Sequence, residues 1–431
     1  MINQIIREYW KKELPKVVDR DISLDMKTDL INDIVGIRRS GKTFLMFGKL
    51  NSLIKKFGKR ATIFINFENR KLLPLREKYF NDIVEFIHEE NLLKKNKKIY
   101  LFLDEIQRIN GWEKFVRSIY DDYKGKIKIF VSGSSANLLS KDYGRLLTGR
   151  HLTTYVFPLS FKEFLRFKKF KFGKFDFKNK VRIRVLLKEY LKYGGFPEVV
   201  LSDKKEEILS QLFSDILSRD VLSRGDIRKE QILEEFVYYL SSNVSNRLSF
   251  NKMAKYFRSR GIKISVQTLE NYFYFLKNAF LFFDNLIFSF KVKDQLQYSR
   301  KIYCIDTGIA NFIGFKFSKD FGRLYENAVA VELLRRSKLL TKMFYWHDQQ
   351  YNEVDFIVKS GLKIKQLIQV CYDLNDNDTK KREVRALLKA SRELKCNNLL
   401  VITEDYEAEE KIENKKIKFI PLWKWLLSYK L

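Results

Sequence analysis

A loop bounded by glycines is the strongest chemical signal in the chain. It reads Gly36-Ile37-Arg38-Arg39-Ser40-Gly41-Lys42-Thr43, after the strand-like run 31–35 and before Phe44-Leu45-Met46-Phe47. A strand, such a loop and a helix turn backbone N–H groups towards phosphate. The pattern predicts that all eight loop residues bind a nucleoside triphosphate, with Lys42 on the β and γ oxygens and Thr43 on Mg²⁺.

Two carboxylates follow a second apolar run. The run 99–103 is continuously hydrophobic, as in a strand buried in a parallel sheet, and it ends in Asp104 and Glu105. Beside a phosphate loop, the first carboxylate is expected to hold the Mg²⁺ shell and the second to orient or deprotonate the attacking water. The pair favours hydrolysis over binding alone, and a solvated strand end is the alternative.

A third polar segment follows the strand-like run 127–131. Its small residues, Ser132-Gly133-Ser134-Ser135, stand where a γ-phosphate or its water can be sensed at the carboxyl end of a strand. Capping of a following helix is the alternative role for these serines. Further strand-like runs at 33–35, 61–67 and 151–156 alternate with helical patterns, which predicts a parallel sheet with helices on both faces.

Composition bounds the domain organisation and the partners. A chain of 431 residues, 45% of them hydrophobic, is expected to form two to four globular domains. Its 83 lysines and arginines against 53 acidic residues give a formal net charge of +30, which suits a polyanion, above all nucleic acid. A lysine-rich surface of an AT-rich or heat-adapted proteome is the alternative explanation.

The sequence predicts a cytoplasmic protein without a membrane partner. No run reaches the roughly 18 uninterrupted apolar residues of a membrane span, and residues 1–12 lack the pattern of a signal peptide. The three cysteines, Cys304, Cys371 and Cys396, have no spacing typical of metal ligands and suggest no disulfide framework.

Taken together, the N-terminal motifs resemble the AAA+ ATPases of the archaeal-type group. The matching segments are Gly36 to Thr43, Thr62 to Glu68, Leu101 to Gln107, Ser132 to Ser135, Leu147 to Arg150 and Phe157 to Phe161. The resemblance implies strand order 5-1-4-3-2, ATP and Mg²⁺ as cofactors, and a homo-oligomer. It also implies that Ser134 is the first-sensor residue and that Arg150 contacts phosphate in its own site or a neighbour's. An ordinary surface arginine is the alternative for Arg150.

The middle of the chain is predicted to be mainly helical, with a strand pair after the helices of 232–290. A helical lid is expected at 166–230, and two capped helix starts at 249–254 and 265–269 resemble a winged helix-turn-helix. The second of these helices would present Gln267 and Thr268 to a DNA major groove. A helical spacer or a dimerisation module of the same shape is the alternative.

The C-terminal part resembles the PD-(D/E)XK nuclease fold. Its candidate metal ligands are a helix glutamate, here Glu326 or Glu332, the strand residue Asp355, and Gln369. The chain departs from the family at the usual Glu-X-Lys triplet, which here reads Gln369-Val370-Cys371, and a cysteine cannot replace the lysine. Retention of the fold for DNA or protein contacts is the alternative to nuclease activity.

The predicted architecture is α/β with four domains. They are a P-loop AAA+ core at 1–165, the lid at 166–230, a winged helix at 231–297, and a restriction-endonuclease-like domain at 298–431. We expect ATP hydrolysis coupled to DNA binding or remodelling. A nucleotide-dependent switch that gates a protein partner and an ATP-controlled metal nuclease are the alternatives.

Overall fold

A parallel sheet organises the N-terminal part of the chain. In the computed structural model, the described residues are 1–134, 149–171, 177–223, 227, 229–314, 321–337, 340–374 and 376–428. The sheet contains β1 (Ile31–Val35), β2 (Thr62–Asn66), β3 (Ile99–Asp104), β4 (Ile127–Gly133) and β5 (His151–Tyr155). Its order is β2-β3-β4-β1-β5, and every pair is parallel. This confirms the predicted strand order.

Helices cover both faces of this sheet. The helices are Ile2–Lys11, Lys42–Phe57, Lys78–Glu89, Leu92–Lys95 and Trp112–Asp122, with 3₁₀ turns at Lys59–Ala61, Arg70–Leu72 and Ile106–Arg108. Every residue of β3 and β4 is buried, and one apolar cluster lies on each side of the sheet. Because neither of its faces meets water, β3 reads as a continuous apolar run up to Asp104, whereas the equally buried β4 also contains Lys128.

The chain divides into two compact units. The first comprises Met1–Phe157 with Asn278–Phe280, and the second comprises Pro158–Lys277 with Leu281–Leu431. Within the second unit, the helices Phe161–Phe167 and Phe177–Tyr193 share an apolar core with the C-terminal helix Leu422–Leu427. The boundaries at 165, 230 and 297 stay a prediction.

Three helices and a small antiparallel sheet form the middle of the second unit. The helices are Glu230–Ser242, Phe250–Ser259 and Val266–Asn278, and the strands are β6 (Arg247–Leu248), β7 (Phe282–Asn285) and β8 (Arg300–Cys304). The strand order is β6-β8-β7. Further helical elements of this unit are Pro197–Leu201, Lys205–Ile216, Leu217–Leu222, Val292–Gln297 and Thr307–Ile313.

A mixed sheet with its own helices closes the chain. Its strands are β9 (Thr341–His347), β10 (Glu353–Ser360), β11 (Lys363–Val370), β12 (Leu399–Thr403), β13 (Ala408–Ile412) and β14 (Lys415–Pro421). The order is β13-β14-β12-β11-β10-β9, with β11, β12 and β14 parallel. The helices Phe321–Arg336 and Asn377–Glu393 belong to the same region. The predicted α/β class is confirmed by the five-stranded parallel sheet and the six-stranded mixed sheet.

The structure bears on two further features of the sequence, its apolar segments and its cysteines. Of the helices that the structure describes, none has both the length and the apolar character of a membrane span. The thiols of Cys304, Cys371 and Cys396 are free and buried.

Gly36 marks a point where two strands leave no room for a side chain. The Val156 N–H donates to the Val35 carbonyl over 2.7 Å, and a Cβ at Gly36 would lie 2.1 Å from the Val156 carbonyl oxygen. We expect Gly36→Ala to lower the free energy of unfolding by about 1–3 kcal/mol, as in overpacked cores. Urea unfolding of the purified chain measures the change.

Gly48→Ala is the matched control. Nothing lies within 4 Å of a Cβ at this position in the helix Lys42–Phe57. Alanine should therefore raise the stability by about 0.5–1 kcal/mol through helix propensity. Equal effects of the two substitutions would contradict the steric explanation for Gly36.

Candidate active site

The phosphate loop connects β1 to the helix Lys42–Phe57. Arg39 and Gly41 have positive φ values of 60° and 97°, so the backbone turns twice into the left-handed region. The Ser40 N–H donates to the Ile37 carbonyl over 3.2 Å, which closes the loop on itself. Left-handed residues at Arg39 and Gly41 give the loop a curved backbone of the kind that can surround an anion.

Lys42 lies inside this loop rather than in solvent. The side chain is buried, and its Nζ donates to the carbonyl oxygens of Gly36 over 3.0 Å and Ile37 over 3.1 Å. Backbone carbonyls carry only partial negative charge, so a phosphate oxygen is a stronger acceptor for an ammonium group. The ammonium group is therefore held at the loop by contacts that a phosphate can replace.

Asp104 joins three other elements at the end of β3. Its Oδ2 accepts hydrogen bonds from Thr43 Oγ1 over 2.8 Å and Asn66 Nδ2 over 3.2 Å. Its Oδ1 accepts a hydrogen bond from Ser132 Oγ. The phosphate loop, β2 and β4 thus each supply one donor to the same carboxylate. The sequence placed Ser132 in the predicted sensing segment but did not predict its contact with Asp104, and Asn66 was not predicted as a site residue.

The protonation of Asp104 depends on its surroundings. Burial raises its pKa to about 6, the Ser132 hydrogen bond lowers it, and the neighbouring charge of Glu105 raises it. A buried carboxylate is more readily ionised when a cation lies beside it. Asp104 and Thr43 together supply the hard oxygen donors that Mg²⁺ prefers, and they are the two first-unit residues predicted to hold this metal.

Glu105 follows directly in an unusual backbone conformation. Its φ of 53° lies in the left-handed region, which is uncommon for a residue other than glycine. Its N–H donates to Ser132 Oγ over 3.2 Å, and its Oε2 accepts from Gln107 Nε2 over 2.6 Å. Ser132 therefore links Asp104 and Glu105, because its hydroxyl donates to one residue and accepts from the other.

Two residues implied by the family resemblance occupy different surroundings. Ser134 is buried directly after β4, whereas it is Ser132 that contacts Asp104. Arg150 lies directly before β5, and its Nε donates to Asp121 Oδ1 over 3.2 Å. Their predicted roles towards phosphate remain predictions. Ser135, Leu147 and Thr148, which belong to the segments that carry the family resemblance, lie outside the described residues.

An arginine far from the loop in sequence supports the loop backbone. Arg20 donates from Nη1 to the Ser40 carbonyl and from Nη2 to the Phe157 carbonyl, each over 2.9 Å. It thereby ties the loop to the chain that follows β5. No local pattern around Arg20 predicts this contact, since both acceptors are backbone atoms.

The loop fits a nucleotide phosphate by its donors. Ser40 Oγ is buried and has no hydrogen-bond partner among the described residues. A buried hydroxyl without a partner is costly unless a ligand supplies one. With the Lys42 ammonium group and the close backbone at Gly36, the residues present suit a triphosphate with Mg²⁺.

The second unit contains a buried ion cluster around Lys301. The Lys301 Nζ lies 2.9 Å from Glu326 Oε1, 2.7 Å from Glu353 Oε1 and 2.8 Å from Asp355 Oδ1. Tyr303 adds a hydroxyl that donates to Glu326 Oε1 over 2.7 Å. Two of the predicted metal ligands, Glu326 and Asp355, therefore converge on an ammonium group of the chain itself.

The charges in this cluster are strongly coupled. Burial alone would lower the pKa of Lys301, but the carboxylates of Asp355, Glu326 and Glu353 raise it well above its usual range. Burial and the neighbouring charge of Asp355 raise the pKa of Glu326 to about 8. The lysine therefore stays charged at neutral pH, as the counter-ion of the carboxylates.

The other two predicted metal ligands have different partners. Glu332 forms ion pairs with Arg335 and Arg336, the latter at 2.7 Å, and is not part of the lysine cluster. Gln369 Oε1 accepts from the Asp355 N–H over 3.3 Å. Across the parts of the chain that the structure describes, no three His, Cys, Asp or Glu side chains are grouped as ligands for a metal ion.

Comparison with known proteins places the first unit in a family. A model described as an AAA domain matches residues 29–165. MJ1544, an uncharacterized protein of Methanocaldococcus jannaschii, is 38% identical over 424 residues, covering 96% of this chain and 92% of MJ1544. The chain belongs to this family of AAA-domain proteins. An AAA domain implies nucleotide binding, usually with Mg²⁺, at the site described above.

Other comparisons extend over both units. An uncharacterized protein of Haemophilus influenzae is 30% identical over 405 residues, covering 92% of this chain and 94% of that protein. Models for domains of unknown function, DUF8612 and DUF4143, match residues 184–319 and 321–425. The Walker-type ATPase PABY2304 of Pyrococcus abyssi is similar at 15% identity and a TM-score of 0.42, over 72% of this chain and 94% of that one.

The raised pKa of Asp104 predicts that removing its charge stabilises the folded chain, and that this stabilisation depends on pH. Because the folded-state pKa is above that of the unfolded chain, ionisation of Asp104 costs stability, and the cost is complete above about pH 6. Asp104→Asn should therefore raise the free energy of unfolding at pH 8 by about 1–3 kcal/mol without ligand. The gain should shrink as the pH falls through 6 towards 4.

Urea unfolding at pH 4.5 and pH 8 measures this difference. Asp203→Asn, which removes an exposed carboxylate, is the control and should show little pH-dependent gain. A loss of stability for Asp104→Asn at pH 8 would mean that its hydrogen bonds outweigh the cost of burying its charge.

Proposed function

We propose that this protein is a Mg²⁺-dependent ATPase that couples hydrolysis to the binding or remodelling of DNA. The hydrogen bond of 2.8 Å between Thr43 and Asp104 carries the first half of the proposal. It brings the last residue of the phosphate loop to the carboxylate after β3, with Glu105 next in the chain. Metal ligands and a candidate base thus lie together at one strand end.

The residues divide the chemistry between them. Lys42 would hold the β and γ oxygens, and the loop backbone would surround the phosphates. Thr43 and Asp104 would hold Mg²⁺, which neutralises charge that develops on the phosphates. Glu105 would accept a proton from a water whose oxygen bonds to the γ-phosphorus as the bridging β–γ bond breaks. ADP and inorganic phosphate are the products.

The DNA half of the proposal is supported by element order in the second unit. The order helix, β6, helix, helix, β7, β8, with strand order β6-β8-β7, fits the winged helix-turn-helix that the sequence predicts. On the helix Val266–Asn278, Gln267 and Asn271 are exposed, and Gln267 Nε2 donates to Asn271 Oδ1 over 3.3 Å. Amide side chains of this kind read base edges.

The segment between β7 and β8 adds a second feature that favours nucleic acid. Phe290 is 82% exposed, and the flanking Lys291 and Lys293 are exposed as well. Lysines attract phosphate, and an exposed aromatic ring can pack against a base. With a net charge of +30, a polyanion is the partner that we propose for this surface.

The two alternative functions have weaker support. A nucleotide-dependent switch for a protein partner needs the same ATP site and differs in its response to DNA. A metal nuclease would use the C-terminal region. Its elements follow one another as a helix, the antiparallel strands β9, β10 and β11, a second helix, and β12 parallel to β11, and this order fits the nuclease-like fold. The ammonium group of Lys301 lies between its candidate ligands, which argues against metal-dependent cleavage.

The ATPase proposal is tested by steady-state turnover with and without DNA. We expect the wild-type chain to hydrolyse ATP and the Glu105→Gln variant to retain ATP but turn it over about 100- to 10,000-fold more slowly, as for the loss of a general base. Duplex, single-stranded and branched DNA are compared at one salt concentration, because phosphate contacts depend strongly on salt. Stimulation by one form would identify the DNA substrate.

Two controls separate the parts of this proposal. Lys42→Ala should weaken ATP binding by about tenfold or more, since a charged hydrogen bond to phosphate is lost. Unchanged ATP affinity in this variant would refute the assignment of the loop. A slow wild-type rate that no DNA form alters would favour the protein-gating switch.

The lysine cluster predicts a large structural effect of removing its cation. Lys301→Met leaves three neighbouring acidic side chains without their counter-ion, with Glu326 only partly ionised at this pH, so we expect the second unit to lose about 3–5 kcal/mol of stability at pH 8. Lys416→Met is the control, because its ion pair with Glu409 is exposed and screened by solvent and should change the stability little. A neutral effect at Lys301 would contradict its role as the counter-ion.

A further inference from the structure

Gln107 holds the carboxylate of Glu105 through a short hydrogen bond. Its Nε2 donates to Glu105 Oε2 over 2.6 Å. The two residues are only two positions apart, and the left-handed backbone of Glu105 with the 3₁₀ turn Ile106–Arg108 brings the side chains together. Ile106 and Ile109 are buried in the apolar core, so the turn that carries Gln107 has a fixed position.

The orientation of the Gln107 amide follows from its partner. An ionised carboxylate only accepts hydrogen bonds, so the NH₂ end of the amide must face Glu105. The carbonyl end, Oε1, then points elsewhere. It is buried and has no hydrogen-bond partner among the described residues. A buried acceptor of this kind is costly unless a ligand or a water donates to it.

The second oxygen of Glu105 has different surroundings from the first. Gln107 occupies Oε2, whereas no other side chain in the described part of the chain donates to this carboxylate. Oε1 of Glu105 can therefore accept a proton while Oε2 fixes the plane of the carboxylate. Ser132 fixes the backbone of the same residue, because its Oγ accepts from the Glu105 N–H over 3.2 Å.

We propose that Gln107 is a positioning residue for ATP hydrolysis. Its amide N–H fixes the Glu105 carboxylate, and its unpartnered carbonyl oxygen accepts a hydrogen bond from the water that attacks the γ-phosphate. One amide thus orients the base and the nucleophile together. The proposal rests on the proposed ATPase function and adds a residue to its site.

The test compares Gln107→Ala and Gln107→Glu with the wild-type chain. Alanine removes both ends of the amide, and glutamate keeps the length but cannot donate when ionised and repels Glu105. We expect both variants to lower kcat by about 10- to 100-fold, the range for lost hydrogen bonds to a charged group. KM and the affinity for a fluorescent ATP analogue should stay within about twofold, because Gln107 does not hold the phosphates.

A nucleotide-free measurement tests the pair independently of turnover. The urea midpoints of Gln107→Ala, Glu105→Ala and the double variant should be non-additive, since the second substitution removes a contact already lost. Gln4→Ala is the matched control, because Gln4 Nε2 donates to Glu8 Oε1 over 2.9 Å on the exposed face of the helix Ile2–Lys11, far from the site in sequence. It should leave kcat unchanged and show no coupling to Glu105.

The outcomes separate this inference from the proposed function. A wild-type rate equal to that of Glu105→Gln would overturn the proposed hydrolysis and the inference together. An active wild type with Gln107 variants of normal or increased kcat would overturn the inference alone, and an increase would mean that Gln107 restrains Glu105. A lower kcat with equally weakened nucleotide affinity would assign Gln107 a general structural role instead.

Discussion

A carboxylate buried at the end of a strand is the constraint on which the first unit depends. An ionised Asp104 is costly away from water, and three hydroxyl and amide donors offset part of this cost. The donors come from the phosphate loop, β2 and β4. They can meet only because β2, β3 and β4 are neighbours and parallel, so their carboxyl ends share one edge. The order of the strands is thus what allows these donors to surround the Asp104 carboxylate.

Much of this arrangement was accessible from the sequence. The loop Gly36 to Thr43 and the pair after β3 are local patterns, and their chemistry depends on spacing along a few residues. The central strand β3 is also a local signal, because burial on both faces makes it a continuous apolar run. The order of the strands came from the family resemblance, and the structure has the same order.

The remaining contacts could not be derived in this way because they join distant segments. Ser132, rather than Ser134, reaches Asp104 because the register of β3 against β4 decides which serine faces the carboxylate. Arg20 supports the loop through backbone oxygens, which carry no sequence signature. Lys301 resembles any other lysine in a basic chain until folding brings it among three acidic residues.

The Lys301 cluster determines where the positive charge among these carboxylates comes from when the protein folds. An acidic pocket that relies on a divalent ion must acquire that ion from the cell, and its assembly then follows metal supply. Here the positive charge is encoded in β8 and arrives with the polypeptide itself. The C-terminal sheet can therefore balance the charge of these carboxylates as it folds, with a cation that comes from its own chain.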